Sequence, residues 1–277
     1  MKVVLFCGGF GMRIREYSEE IPKPMVPIGH RPILWHVMKY YAHFGHKDFI
    51  LCLGHQSQTV KRYFLEYDEC LSNDFTLSDG GQTRIPVRRD LEDWRITFVD
   101  TGTNANIGQR LLAVREHLRG EEMFLANYSD GLTDCPLARL VDPLRESGRV
   151  ASFLCVRPSF TVHFVDATDQ GEVLDLRPAH QAHLWINAGY FVFRQEVFDY
   201  IQNGEELVIE PFRRLMREQK LLACKYEGFF QAMDTFKERQ YLEQLYTEGN
   251  GHAAWMVWAK DRSKDDRVQD RSNQCAH

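Results

Sequence analysis

Short apolar runs and amphipathic stretches alternate along the first half of the chain. Residues 3–7 are an apolar run, 32–44 an amphipathic stretch, 48–53 a second apolar run and 59–69 a second amphipathic stretch. These lengths predict a strand-helix-strand-helix order. The alternation resumes with predicted strands over 96–99, 123–126 and 150–156 and predicted helices over 110–118 and 137–146. Parallel strands need long crossover connections, so the pattern predicts an α/β fold, a Rossmann-like, mostly parallel sheet with helices on both faces.

Two segments break the rhythm. Between 71 and 93 the chain turns polar and irregular, with Asp79-Gly80-Gly81-Gln82 at its middle; it reads as an excursion from the sheet, a loop or an oligomer contact. Over 161–193 the apolar runs crowd together around the turn signal Asp169-Gln170-Gly171, which predicts a small antiparallel subdomain. Helices are expected over 208–218 and 237–246. The tail, 259–277, is charged and poor in apolar residues and is expected not to pack.

Composition narrows the function. With 277 residues, 44% of them hydrophobic, the chain is long enough for one large domain with a substantial core. Its formal net charge of -5 is spread along the sequence. No basic face for a nucleic-acid backbone is expected, so nucleic acid is not an expected partner. The seven cysteines are scattered and lack metal-site spacing, and they read as reduced. No run reaches the roughly 18 apolar residues of a membrane span, and the start is too short for a signal segment. A cytoplasmic protein with no membrane partner is the expectation.

Candidate chemistry begins directly after the first predicted strand, at Gly8-Gly9-Phe10-Gly11-Met12-Arg13. Glycines there let backbone N–H groups approach an anion, and Arg13 adds forked donors for phosphate oxygens. A simple glycine turn is the plainer alternative. The loop fits neither the dinucleotide fingerprint, since position 14 is Ile, nor the P-loop, since no Gly-Lys-Ser/Thr follows. Next, Pro22-Lys23-Pro24-Met25 holds an ammonium on a segment stiffened from both sides, although a lone lysine is more often a solvated charge. Further on, Tyr128-Ser129-Asp130-Gly131 follows an apolar run; an aspartate at the carboxyl end of such a strand faces the ligand crevice and can hold a hard cation. Its alternative is an Asp-Gly turn. In Met233-Asp234-Thr235, Asp234 can serve as a metal ligand, as a helix N-cap, or as both.

Taken together, Gly-Gly-x-Gly-x-Arg at 8–13 and Lys-Pro-Met at 23–25 resemble the signature of the sugar-1-phosphate nucleotidylyltransferases. Pro32-Ile33-Leu34-Trp35-His36, Val99-Asp100-Thr101-Gly102 and Gln231-Ala232-Met233-Asp234-Thr235 look closest to the glucose-1-phosphate cytidylyltransferase branch. The resemblance covers roughly 1–258 and implies the nucleotide-diphospho-sugar transferase fold. Residues 1–156 would mainly bind nucleotide and 157–234 mainly the sugar. It also implies Mg²⁺ as cofactor, a nucleoside triphosphate and a sugar 1-phosphate as partners, and a homo-oligomer. By the same resemblance Asp130 and Asp234 are metal ligands, with Asp130 also catalytic. Arg13 and Lys23 are catalytic, phosphate-binding cations, and Gly8, Gly9 and Gly11 form the nucleotide loop. Gly108 and Arg110 would read the base, with Arg110 offering donors to O2 and N3 of cytosine, so CTP is preferred. Arg110 as the start of an exposed helix is the alternative. Tyr128, Arg177, Asn187 and Gly189 would bind the sugar phosphate.

The sugar side departs from the family pattern. Leu176-Arg177-Pro178 stands where Glu-Lys-Pro is usual, Val162-His163-Phe164-Val165 replaces an Arg-Phe-Gly-type segment, and Met12 replaces a commoner threonine. A modified sugar is therefore weighed beside glucose, which stays the foremost named candidate. Competing readings are an enzyme using UTP, dTTP or GTP and a non-catalytic regulator that binds nucleotide sugars. A dehydrogenase is disfavoured by the missing third glycine.

Overall fold

Side chains alternate across the first strand so that Val3 and Leu5 enter one hydrophobic cluster while Val4 and Phe6 enter another. Such two-sided burial requires a sheet covered on both faces. The computed structural model describes residues 1–9, 21–158, 163–179, 184–250 and 252–260. In chain order its main elements are β1 (Val3–Phe6), α1 (Ile33–His43), β2 (Asp48–Leu53), α2 (Ser57–Leu65), β3 (Phe75–Ser78), β4 (Thr83–Pro86), β5 (Arg95–Asp100), α3 (Ile107–Ala113), β6 (Met123–Asn127) and β7 (Gly131–Thr133). They continue as α4 (Ala138–Arg145), β8 (Ala151–Val156), β9 (His163–Ala167), β10 (Val173–Pro178), β11 (Ile186–Arg194), α5 (Glu210–Arg217), β12 (Leu221–Tyr226), β13 (Phe230–Ala232) and α6 (Phe236–Glu248).

The central sheet has seven strands in the order β12-β8-β11-β6-β1-β2-β5. All pair in parallel except β11, which runs antiparallel between β6 and β8. The carboxyl ends of the other strands therefore share one rim, where open α/β sheets bind ligands. On one face α1, α4 and α6 contribute to the larger cluster; on the other, α3 and α5 contribute to the smaller. The predicted α/β sheet with helices on both faces is what forms.

Differences from expectation have physical causes. Of the antiparallel region read over 161–193, β9 and β10 form an exposed hairpin, but β11 joins the main sheet. Its run Ala188 to Phe193 is buried throughout, so only a central position satisfies it. The 71–93 excursion contains a hairpin of β3 and β4 rather than a loop, with Asp79, Gly80, Gly81 and Gln82 connecting its strands. The tail begins later than expected, because Ala259 is buried against the larger cluster within a short helix, Val257–Lys260; residues 261–277 lie outside the described ones.

The excursion is tied down by buried charge. Arg31 donates from Nη2 to Asp90 Oδ2 at 2.8 Å, to Ser72 O at 2.7 Å and to Asn73 Oδ1 at 3.0 Å, and from Nη1 to the Tyr67 hydroxyl at 2.7 Å. Lys39, on α1, donates to Asp90 Oδ1 at 2.7 Å. The Arg31 guanidinium lies 4.1 Å from the Trp35 ring centre. One carboxylate thus neutralises two cations, Arg31 holds both ends of the excursion just ahead of α1, and Lys39 ties the Asp90 end to α1 itself. Nearby, His36 is buried among aromatic rings and its pKa is pushed down to about 4 by that burial. As a neutral ring its Nε2–H donates to Ile28 O and its Nδ1 accepts from Trp255.

Asp90→Ala leaves Arg31 and Lys39 buried without their shared carboxylate, and breaking such a pair costs about 3 kcal/mol. Urea unfolding of wild type and variant checks this; a loss smaller than that of a surface substitution refutes it.

Candidate active site

Lys23 sits in a short turn, Lys23–Met25, between Pro22 in extended backbone and a buried Pro24. Its two backbone closures, Met25 N–H to Pro22 O at 2.8 Å and Val26 N–H to Lys23 O at 3.1 Å, hold the turn. The presentation from a stiff segment expected from the two prolines is present. The ammonium donates to Asp130 Oδ2 at 2.6 Å and to Asp234 Oδ1 at 2.7 Å. Three expected site residues, far apart in sequence, meet at one nitrogen.

Asp130 reaches this point because β6 ends in a tightly specified turn. Asn127 Oδ1 accepts from the Ser129 backbone N–H at 2.6 Å, and the Ser129 hydroxyl donates to Phe6 O at 2.8 Å. Ser129 is fully buried and adopts a left-handed φ of 63°, a conformation that non-glycine residues take up at a cost. The turn so formed passes directly into β7, which pairs antiparallel with β13 with Gly131 opposite Ala232. Met233 N–H then donates to Asp130 O at 2.8 Å. A two-stranded ladder therefore sets the spacing of the two aspartates.

Asp234 is not the N-cap of α6. Thr235 takes that role in a capping box with Glu238, because it stands three residues before the glutamate. Glu238 Oε2 also accepts from the Asp234 backbone N–H at 2.7 Å. The cap thus fixes the Asp234 backbone and releases its side chain for Lys23. The Asp-Gly turn weighed for Asp130 is not what forms: the chain turns at Asn127 to Ser129 and Gly131 already begins β7.

Electrostatics follow from burial. The largest influence on Lys23 is burial, which works against its charge, yet Asp130 and Asp234 outweigh it and raise its pKa. Burial likewise dominates at Asp130 and raises its carboxyl above the usual range, with Lys23 pulling the other way. Beside the Lys23 ammonium that they share, the two carboxylates keep further oxygen atoms, and a pair of hard donors rather than a closed cage suits a cation that keeps waters and completes its shell with substrate phosphates, as Mg²⁺ does. Among the described residues no group of three or more His, Cys, Asp or Glu forms a cage.

Along the rim, beyond the ends of β1, β2 and β5, lies Arg110. The exposed-helix alternative for it is wrong: on α3 it is only 1% exposed. Its Nη1 donates to Leu53 O at 3.1 Å and to Thr101 Oγ1 at 2.7 Å, and Nη2 contacts Thr103 O at 3.4 Å. Its Nε–H is buried with no hydrogen-bond partner among the described residues, and such a group calls for an explanation. A Cβ on Gly8 would stand 2.2 Å from Arg110 Nη1, so Gly8 makes room for the guanidinium. Gly9 faces open space. Gly108 is accounted for by packing, since a Cβ there would lie 2.3 Å from Glu205 O.

On the other side of β6, Tyr128 and Gly189 are in close contact. Gly189 has φ +74°, and a Cβ there would be 2.5 Å from the Tyr128 ring. The Asn187 side chain accepts from Gly189 N–H at 2.9 Å and hydrogen-bonds Tyr128. Burial raises the pKa of the Tyr128 hydroxyl. Arg177 is not brought to this group: it lies on the exposed hairpin and its Nε pairs with Asp175 at 3.1 Å. Gly11 and Arg13, and with them Met12, lie outside the described residues. Thr101, Asn127, Ser129 and Glu238 are the positioning residues that sequence reasoning missed. The polar Asn127 ending an apolar run and the Thr-x-x-Glu spacing before α6 were their signals.

The fold and this rim define a nucleotide-handling enzyme, and the chain belongs to the Nucleotidyl transferase family, whose model matches residues 2–255. It is 35% identical over 260 residues to glucose-1-phosphate cytidylyltransferases of Salmonella typhi and Salmonella typhimurium, with 93% of this chain and 100% of each relative covered. A crystal structure of UDP-glucose pyrophosphorylase with UDP-glucose shares the fold at TM-score 0.65 and 14% identity, covering 89% of this chain and 98% of that one.

Lys23→Ala removes the cation between the two carboxylates, so Asp130 is expected to titrate at a higher pH than in wild type. Carboxyl-carbon NMR across a pH series reads this, and an unmoved Asp130 titration contradicts the electrostatic assignment.

Proposed function

We propose that the protein transfers a cytidylyl group from CTP to a sugar 1-phosphate, forming a CDP-sugar and releasing pyrophosphate. The observation that carries the reading is the convergence of Lys23, Asp130 and Asp234 at one point on the crevice rim. The full-length similarity to cytidylyltransferases supports the base and the substrate class.

The chemistry needs little besides positioning and charge. The sugar phosphate is already ionised at neutral pH, so an oxygen of it attacks the α-phosphorus in line while pyrophosphate leaves, without a covalent enzyme intermediate. Two anions repel as they approach, and fixed cations aimed at the reacting phosphates lower that cost. An ammonium has three N–H donors, of which Lys23 spends two on Asp130 and Asp234. The third is assigned to a phosphate oxygen, and Arg13 is assigned to the triphosphate with the loop at 8–11. Asp130 and Asp234 would hold Mg²⁺, which when bound supplies charge neutralisation at the phosphates.

At the base end, the unpartnered Nε–H of Arg110 is the donor we assign to cytosine, whose O2 and unprotonated N3 both accept. A uracil or thymine base carries a proton on N3 and matches less well. Tyr128, Asn187 and Gly189 form the sugar side. Free cysteines throughout the described residues and nucleotide triphosphate chemistry fit a cytoplasmic setting, which cell fractionation checks. Among the described residues no helix is long and apolar enough to cross a membrane.

Exposed Leu65, Leu71, Leu77, Ile85 and Val87 lie on α2 and the excursion that follows it; the hairpin register puts Ile85 and Val87 on one face and Leu77 on the other, and apolar side chains exposed on both faces support association between copies of the chain. Leu77→Lys combined with Ile85→Lys is expected to yield monomers by light scattering, and a monomeric wild type rejects the association.

A screen of CTP, UTP, dTTP and GTP against sugar 1-phosphates with Mg²⁺, read by pyrophosphate release, tests the function. CTP is expected to give the highest kcat/KM, and Lys23→Ala to lower kcat by about 10²-fold or more, as when a preorganised charge is removed. Turnover that survives Lys23→Ala, or no pyrophosphate with any pair, rejects the reading.

A further inference from the structure

The rim continues past β11 to a cluster with no place in the chemistry above. Arg157 directly follows β8, Lys225 lies near the end of β12, and Trp185 directly precedes β11. Val156 is registered with both Ile186 and Tyr226, which draws the three side chains together. The Arg157 guanidinium lies 4.2 Å from the Trp185 ring centre and the Lys225 ammonium 5.3 Å from it. One indole thus anchors two cations, an arrangement that restrains both long side chains.

Charge on this cluster is not balanced. Glu227 is the acidic partner of Arg157, at 3.7 Å and with its own side chain 74% exposed. Meanwhile Arg157 Nη1 is buried with no hydrogen-bond partner among the described residues. Two cations meet one distant, well-solvated carboxylate, and an exposed pair of that kind is worth little. A forked donor set with a spare buried nitrogen suits a carboxylate or a phosphate.

Position identifies what brings the anion. The reacting phosphates belong at Asp130, just past the end of β6. From β6 to β8 is two strand spacings, about 10 Å across the sheet, with Asn187 and Gly189 of β11 between. That is the reach of a hexose bearing one substituent, measured away from its 1-phosphate. Building on the sugar 1-phosphate reading, we propose that Arg157 and Lys225, steadied by Trp185, form a subsite for an anionic substituent at the far end of the sugar. The preferred substrate then carries a second acidic group, a carboxylate or a phosphate, that glucose 1-phosphate lacks. The departures at Leu176-Arg177-Pro178 and at 162–165 already pointed away from the family's usual sugar pocket.

Calorimetry on the full chain, with and without a CTP analogue methylene-bridged between its α and β phosphates, tests the proposal. Glucose 1-phosphate, glucuronic acid 1-phosphate and glucose 1,6-bisphosphate are compared, the last two separating carboxylate from phosphate. One of the anionic sugars is expected to bind about tenfold tighter than glucose 1-phosphate, the scale of one charge-assisted contact. Lys225→Gln and Arg157→Gln, confirmed as folded by their melting curves, are expected to erase most of that advantage while leaving glucose 1-phosphate binding within about threefold, since a solvated hydroxyl contact is weak. Equal binding of all three sugars, or a preference that survives both variants, overturns the subsite. Pyrophosphate release separates the two readings. Turnover with glucose 1-phosphate favoured sinks the subsite alone, whereas selective binding without turnover sinks the enzyme reading alone.

Discussion

A buried ammonium shared by two carboxylates is the constraint around which the rim is arranged. Lys23 is separated from Asp130 by 107 residues and from Asp234 by 211, so the triad exists only when the N-terminal turn, the end of β6 and the β13–α6 junction are all in place. Neither aspartate could sit so close to the other without the cation, because like charges at short range disfavour ionisation. Burial in turn works against the charge of the cation, and the two carboxylates outweigh it. This mutual dependence explains why so much local structure is spent on fixing three backbones: prolines beside Lys23, a left-handed Ser129 before Asp130, and a capping box behind Asp234.

From that centre the sheet lays out a linear site. Strand order sets the order of these groups along the rim: β5, β2 and β1 end around Arg110, β1 and β6 end around the triad, and β11, β8 and β12 meet around Trp185. A nucleotide bound with its base at Arg110 must direct its phosphates toward β6, and a sugar on those phosphates must extend over β11. The antiparallel insertion of β11 matters here, because it brings the start of a strand, with Asn187 and Gly189, to a rim otherwise made of strand ends.

Much of this layout was legible in the sequence, for reasons specific to each part. Strands buried on both faces read as continuous apolar runs, so β1, β2, β6 and β8 were found nearly to the residue. Lys23 was legible because two prolines flank it, and Asp130 because it follows such a run. What the letters did not carry was long-range pairing. Nothing local marks β11 as a strand of the main sheet rather than of the neighbouring hairpin; only the burial of both its faces decides it. Likewise Asp90 reads as one charge among many in a polar stretch, although it holds Arg31 and Lys39 across the excursion. Gly8 was correctly singled out, yet the reason is different: the space it leaves is filled by Arg110 from α3.

Gly8 and Arg110 couple the end of β1 to the ends of β2 and β5. The guanidinium is held by Leu53 O and Thr101 Oγ1, and the Thr101 hydroxyl itself donates to Leu53 O at 2.8 Å. The ends of β2 and β5 therefore fix the position of Arg110, and Arg110 fills the volume beside the first glycine of the phosphate loop. A side chain at position 8 would displace the guanidinium, and a displaced guanidinium would leave that glycine unsupported. On the proposed function, one buried arginine would join base selection to the geometry of the loop assigned to the triphosphate. Its Nε–H has no hydrogen-bond partner among the described residues, and a buried donor of this kind gains most from a ligand that supplies an acceptor.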